Sequence, residues 1–211
     1  MTRNEFLTKC WKYYLYLEQD FINLTRYIDI HTNNYDVFSD EVHKQLLSIG
    51  VEFENINKII NIELGINLTQ NNIEGFSEWL RSQNTVFPII NIKLSKENIY
   101  LEPFKEWSNN KNYTPLPWWQ AYNKIKHNRY ENYLNVNFEH LLNALSSLYY
   151  CEMYLVREIG RKTNDCDVPN DISHLFIIKN WKTENEVIGF EQYSAIDADI
   201  DNLFNLNNEN D

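Results

Sequence analysis

Pro115-Leu116-Pro117-Trp118-Trp119-Gln120-Ala121-Tyr122-Asn123-Lys124-Ile125-Lys126-His127-Asn128-Arg129-Tyr130-Glu131-Asn132-Tyr133 is the stretch around which the rest of the chain is arranged. Pro117 suits a first helical position, where its missing N–H costs nothing. At about 100° per residue, Trp119, Asn123, Lys126, Tyr130 and Tyr133 share one stripe, with Tyr122 and His127 on its two edges. An aromatic stripe normally faces a core, so Asn123 and Lys126 are expected to be at least partly buried. A buried amide or ammonium is costly unless something pairs with it. That conflict between pattern and chemistry marks the place to look for function.

Before this stretch, Leu7, Cys10, Tyr14, Leu17, Phe21, Leu24 and Ile28 alternate three- and four-residue steps and predict a long amphipathic helix. His31-Thr32-Asn33-Asn34 ends it. Ser39 then reads as an N-cap, with Asp40 and Glu41 in the first turn, and Val42, Leu46, Ile49, Phe53, Ile56 and Ile60 form a second seam. Two such helices on a short polar connection predict an antiparallel hairpin. Glu52 lies at the edge of the second seam and is either an ordinary flanking charge or the partner of Lys126, while Glu54 points away from the seam. Gly65 opens a turn, after which Asn71 and Glu74 predict the cap of a short helix through Trp79 and Leu80. Residues 86–94 and 99–104 are β-branched and apolar and predict a small hairpin or a pair of extended strands packed over the bundle, Pro88 limiting the first to an edge.

After the quoted stretch, Leu134-Asn135-Val136-Asn137 weakens the helix. The next helix carries Phe138, Leu142, Leu145, Tyr149, Glu152 and Val156 on one stripe, widened by Leu141, Leu148 and Leu155. Glu152, mid-stripe, needs a cationic or hydrogen-bonding partner or must hold a raised pKa. Beyond Gly160 the pattern changes: 175–178 and 187–190 predict two short strands around a turn, and 205–211 reads as a disordered acidic tail. The chain therefore divides into a helical bundle over 1–160 with a β insertion near 86–104, an appendage over 161–204 packed on it, and the tail.

Composition narrows the function. The formal charge of −11 and pI near 4.9 argue against a DNA-coating role, which wants a basic protein. Lys124, Lys126 and Arg129 are a local positive group, read either as a solvated helix face or as a small basic site. Cys10, Cys151 and Cys166 have no metal spacing and leave an odd thiol in any disulfide scheme, which suits a reducing cytosol. The N-terminus lacks a signal-peptide pattern and no window has the apolar length of a bilayer span, so the expectation is a soluble, cytoplasmic protein without membrane contact. His31, His43, His140 and His174 have no ligand spacing. Asp197-Ala198-Asp199-Ile200-Asp201 starts like a calcium loop, but Asn202 and Asn208 stand where glycine and glutamate belong. With no glycine-rich phosphate loop or hydrolase elbow, neither a metal nor a cofactor is expected.

Tyr122-Asn123-Lys124-Ile125-Lys126-His127 resembles the Arg-Asn-x-x-x-His signature of the HEPN superfamily, helical-bundle proteins many of which are metal-independent RNases of phage defence and toxin–antitoxin pairs. Asn123 and His127 match, Tyr122 stands in place of the arginine, and the order of helices over roughly residues 3 to 157 is also similar. The resemblance implies a mainly α fold, an antiparallel four- or five-helix bundle with small β-hairpin additions. It also implies an RNA substrate, a homodimer, and an antitoxin or other protein partner.

In that reading His127 is the general acid or base, the side chain most suited to proton transfer near neutral pH. Asn123 lies one turn before it, and Lys126 or Arg129 supplies the cation that steadies the phosphate. Arg129 is about 200° from His127 around a continuous helix, so the two diverge unless the helix breaks between them; the resemblance implies apposed motifs of two protomers, in which Arg129 of one serves His127 of the other. Trp119, Tyr122, Lys124, Tyr130, Glu52 and Glu152 are then candidate binding or supporting residues. The competing readings are a catalytically inactive module that holds a protein or nucleotide, and a structural protein in which Asn123, Lys126 and Glu152 form a satisfied polar core.

Overall fold

The computed structural model describes residues 1–66, 68, 72–83, 91–108 and 113–178. The chain starts as one continuous helical rod in three pieces: α1 (Arg3–Phe6), a π-helical turn (Leu7–Trp11) and α2 (Lys12–Leu24). Thr2 and Glu5 form a reciprocal capping box at its start. The wide turn explains where the predicted seam departs from the buried face. It carries one residue more than an α-turn, so Phe6 and Trp11, five apart, are both buried with their rings stacked at 6.4 Å, whereas Leu7 is only half-buried. The rod ends at Leu24, leaving Ile28 outside it.

α3 (Asp40–Leu64) begins where Ser39 accepts a hydrogen bond from the Val42 N–H, and ends at Gly65, whose φ of 64° is the left-handed conformation glycine adopts freely. Its whole expected seam is buried, from Val42 at 0 % exposure to Ile60 at 1 %. Two contacts set its direction against α2: Gln45 Nε2 donates to the Asp20 carbonyl, and the Met1 ammonium sits 2.7 Å from Glu63. Early residues of one helix thus meet late residues of the other, which is the expected antiparallel hairpin.

α4 (Ile73–Gln83) follows, capped by Asn72, whose Oδ1 accepts from the Gly75 N–H; Asn71 lies outside the described residues. β1 (Ile92–Leu94) pairs antiparallel with β2 (Tyr100–Leu101). α5 (Lys105–Ser108) is one short turn. α6 (Pro117–Asn128) starts at the expected proline but stops earlier than the aromatic stripe predicts. Asn132 Nδ2 donates to the carbonyls of Asn128 and Lys124, and Asn128 Oδ1 accepts from the Glu131 N–H. Asparagine side chains take the bonds that another helical turn would have used. Tyr130 is consequently 93 % exposed, and Tyr133 belongs to a separate 3₁₀ turn, Tyr133–Asn135.

α7 (Phe138–Thr163) is capped by Asn137 and ends in a left-handed Asn164. It is the centre of the core. Every residue from Ala144 to Met153 is buried, and its small polar residues are satisfied within the helix, Ser146 and Ser147 both donating to the Asn143 carbonyl. The backbone contact of Phe138 with Val37, the Cys151–Asn57 contact and the Lys162–Glu63 contact run in the same order along both segments, so α7 lies parallel to α3. Phe21 stacked on Phe138 and Tyr14 against Tyr149 place α2 antiparallel to it.

β3 (Phe176–Ile178) completes a sheet in the order β2-β1-β3, with Leu94 opposite Phe176 and Ile92 opposite Ile178. β3 confirms a strand within 175–178 and its described partner is β1; the second strand expected at 187–190 lies outside the described residues, as do 86–90 and the tail from 205. The strand is led there by Glu18. Its carboxylate, 1 % exposed, accepts from Tyr14 Oη at 2.7 Å, from Ser173 Oγ, and from the backbone N–H groups of His174 at 2.9 Å and Leu175 at 3.3 Å. The fold is mainly helical with one small antiparallel sheet, and no described helix is long and apolar enough to cross a membrane.

Candidate functional site

α6 packs on α3 at a glycine. A Cβ on Gly50 would sit 2.3 Å from the Tyr122 ring, so only glycine lets that ring lie flat on the helix. Tyr122 is fully buried there, and Trp118, Trp119, Ala121 and Ile125 are buried beside it. The buried face of α6 is therefore rotated away from the predicted stripe. Asn123 is half-buried, while Lys124, Lys126, His127 and Arg129 are all exposed.

The same geometry decides which acid Lys126 meets. Gly50 and Glu54 are one turn apart on α3, and the Lys126 ammonium donates to Glu54 Oε1 at 2.7 Å while Tyr122 Oη donates to the same oxygen at 2.9 Å. The ammonium also lies 5.1 Å from the Tyr122 ring centre. Burial pushes the Glu54 carboxyl up, but the bonds from Lys126 and Tyr122 and the charges of Lys126 and Lys58 outweigh it and hold its pKa below the ordinary value. Lys126 is held above its own, chiefly by the bond to Glu54. Glu52, for which pairing with Lys126 was one of two readings, does not take part.

Glu52 and Glu152 sit in the core instead. Glu52 is 8 % exposed and accepts from Asn55 Nδ2 at 3.3 Å. Glu152 is 0 % exposed, and neither of its oxygens has a hydrogen-bond partner among the described residues. Burial, then the nearby charge of Glu52, pushes the Glu152 pKa well above the carboxylate range; the two acids also help burial raise the Cys10 thiol to about 12. The polar network expected of Asn123, Lys126 and Glu152 is thus divided into two separate places. Arg129 is committed at the far end of α6, paired with Asp40 and 5.7 Å from the Tyr133 ring centre. His127 is exposed and makes no hydrogen bond among the described residues.

Beside Asn123 opens a cleft of about 340 Å³ between α3, α4 and α6. One wall is a polar stripe of α3, Glu54, Asn57, Lys58 and Asn61, which share a face at helical spacing. The opposite side is Ile73 and Phe76 of α4 with Trp119 and Asn123 of α6. Asn123 Nδ2 donates to the Trp119 carbonyl at 2.9 Å. Glu54, Asn57, Asn61 and Phe76 were not singled out from the sequence; the signal was a glycine within a long helix followed by polar residues at steps of four, three and four. A larger depression of about 500 Å³ over the α2–α3 connection is turn surface: His31 Nδ1 accepts from the Asn33 N–H and Asn34 Nδ2 donates to the Asp29 carbonyl.

Among the described residues, no three or more His, Cys, Asp or Glu side chains are grouped so as to hold a metal ion. Compared with protein-family models, curated proteins and solved structures, the chain matches none of them.

Proposed function

We propose that this chain is a HEPN-like antiparallel helical bundle that works as a binding module, holding a partner without cleaving it. One observation carries the reading: the two cations expected to steady a phosphate beside His127, Lys126 and Arg129, are each turned to a carboxylate, and the signature arginine is missing. Lys126 is bound to Glu54, Arg129 to Asp40, and the signature arginine is a buried tyrosine. Cleavage of RNA without metal needs a proton-transfer group and a charge stabiliser at the same phosphate, and an imidazole alone supplies only the first. The test is incubation of the purified protein with cellular RNA in the presence of a chelator. Equal, background-level products from the parent and from His127→Ala are expected; cleavage lost in His127→Ala overturns the reading.

The second reading is a HEPN-type endoribonuclease of defence or toxin type, and it is favoured by the uncommitted state of His127. Lys124, one turn earlier, is exposed as well. Apposition of two α6 helices across a two-fold would bring a cation of one protomer to the imidazole of the other. This reading requires a homodimer, and its cleavage activity must fall with dilution as well as in His127→Ala.

A further inference from the structure

The α3 wall of the cleft between α3, α4 and α6 carries donors with nothing to donate to. Asn57 is more than nine-tenths buried, at 7 % exposure. Its Oδ1 is turned to the core, where Cys151 Sγ donates to it at 3.8 Å. Burial, then the charge of Glu152, keeps that sulfur a protonated thiol, so the oxygen is fixed inward and Nδ2 is left on the cleft side. Asn61, one turn further along α3, repeats the arrangement, with Oδ1 covered and Nδ2 open. Neither NH₂ group donates a hydrogen bond among the described residues. An NH₂ group in this state has given up most of its water without gaining an acceptor, and it binds one when one enters.

Lys58 adds a charge to this wall. It lines the same cleft, is exposed, and makes no ion pair among the described residues. Asn57 and Asn61 are about 6 Å apart along the helix axis, with Lys58 at the edge of their face. The Glu54 charge at the end of the wall is offset by Lys126, and its oxygen already accepts from Lys126 and Tyr122, so the Lys58 charge is left over. Two NH₂ groups and a single positive charge match a carboxylate, which has two oxygens and a single negative charge. A phosphate dianion is served better by the fork of an arginine, and no arginine is among the described lining residues. The opposite side is apolar, with Phe76 and Trp119, and Asn123 there has already given its Nδ2 to the Trp119 carbonyl. A space of about 340 Å³ with apolar cover and a few convergent polar groups suits a small organic molecule.

We infer that this cleft binds an organic carboxylate with an apolar body, its oxygens accepting from Asn57 Nδ2, Asn61 Nδ2 and the Lys58 ammonium and its apolar part lying against Phe76 and Trp119. The inference rests on the binding-module reading and names the ligand chemistry for it. Such a carboxylate belongs to a free acid or ends a peptide, and the test separates the two sources.

Protein labelled with ¹⁵N-asparagine is titrated with indole-3-acetate, a free acid, and with N-acetyl-leucine, which mimics a peptide end, while the side-chain NH₂ signals of Asn57 and Asn61 are followed. The neutral counterparts indole-3-acetamide and N-acetyl-leucine amide, and acetate without an apolar body, are the controls. Saturable shifts of both signals with an acid are expected, the tighter of the two acids identifying the source. The neutral counterpart should bind at least about tenfold more weakly, because it lacks the charge-assisted bonds, and acetate more weakly than either acid. Lys58→Met should weaken the acid about threefold, as suits an exposed cation. Asn61→Leu, checked for an unchanged melting temperature, should weaken it about tenfold. Signals unmoved by both acids, neutral counterparts that bind as well as the acids, or unchanged affinity in Lys58→Met or in a folded Asn61→Leu overturn the carboxylate inference. Each of these results leaves the binding-module reading standing, which falls instead to RNA cleavage that depends on His127.

Discussion

Glu18 and Glu152 are buried equally deeply, at 1 % and 0 % exposure, and the core treats them in opposite ways. Glu18 collects two hydroxyls and two backbone N–H groups. Glu152 collects nothing, and burial with Glu52 beside it raises its pKa far above the ordinary value. The difference lies in what each helix faces. α2 borders the irregular segment before β3, whose unpaired backbone groups need an acceptor. Glu152 lies on a helix enclosed by other helices, whose backbone groups are already paired. A buried acid is therefore an anchor where it meets irregular backbone and a burden where it meets only helix.

The largest expected effect breaks the anchor. Glu18→Leu removes the acceptor shared by the Tyr14 and Ser173 hydroxyls and the His174 N–H and should cost about 3 kcal/mol, read by urea unfolding; a loss below about 1 kcal/mol would mean that apolar packing alone holds the 173–178 segment.

Next is the burden. A carboxyl whose folded pKa is raised favours folding in its protonated form, so its penalty is absent below the unfolded value, near 4.5, and grows as pH rises towards the folded pKa. Glu152→Met should stabilise the protein by about 1–3 kcal/mol at neutral pH and by clearly less at acid pH. Equal gains at both would show that the carboxyl does not titrate. Glu52→Gln removes the repulsive neighbour. It should gain no more than about 1 kcal/mol, and the fall in stability with rising pH should end at a lower pH than in the parent.

The smallest effect is at the half-exposed pair on α3 and α6. The Glu54 pKa is depressed, so its contribution is present above the unfolded value and lost as pH falls. With side chains 38 % and 29 % exposed, solvent screens the pair, and Lys126→Met should cost under about 1 kcal/mol while moving the Glu54 titration upward by NMR.

What could be read from residues alone follows the same division. Ser39, the seam from Val42 to Ile60 and Gly65 define α3 because caps and periodicity act within a few residues. The stripe from Phe138 to Val156 was legible for that reason, as was Pro117. The partner of Lys126 was not, because choosing Glu54 over Glu52 depends on how α6 is rotated on α3, and Gly50 against Tyr122 sets that rotation. The end of α6 was not legible because the side chains of Asn128 and Asn132 take up backbone groups there, a competition that an aromatic period does not reveal. Nothing in the helical period marks Glu18, because the donors that define its role lie some 155 residues away.

The sequence by itself determined α3 with its caps, the start of α6, the buried stripe of α7 and the depth of Glu152, since local hydrogen bonds and side-chain period are properties of neighbouring residues. Only the tertiary structure decided which carboxylates gain partners, that α6 turns Lys126 and His127 outward, and that amides of α3 line a cleft. Those outcomes depend on how whole helices are placed against one another, where a single missing Cβ or a distant backbone N–H outweighs the local pattern.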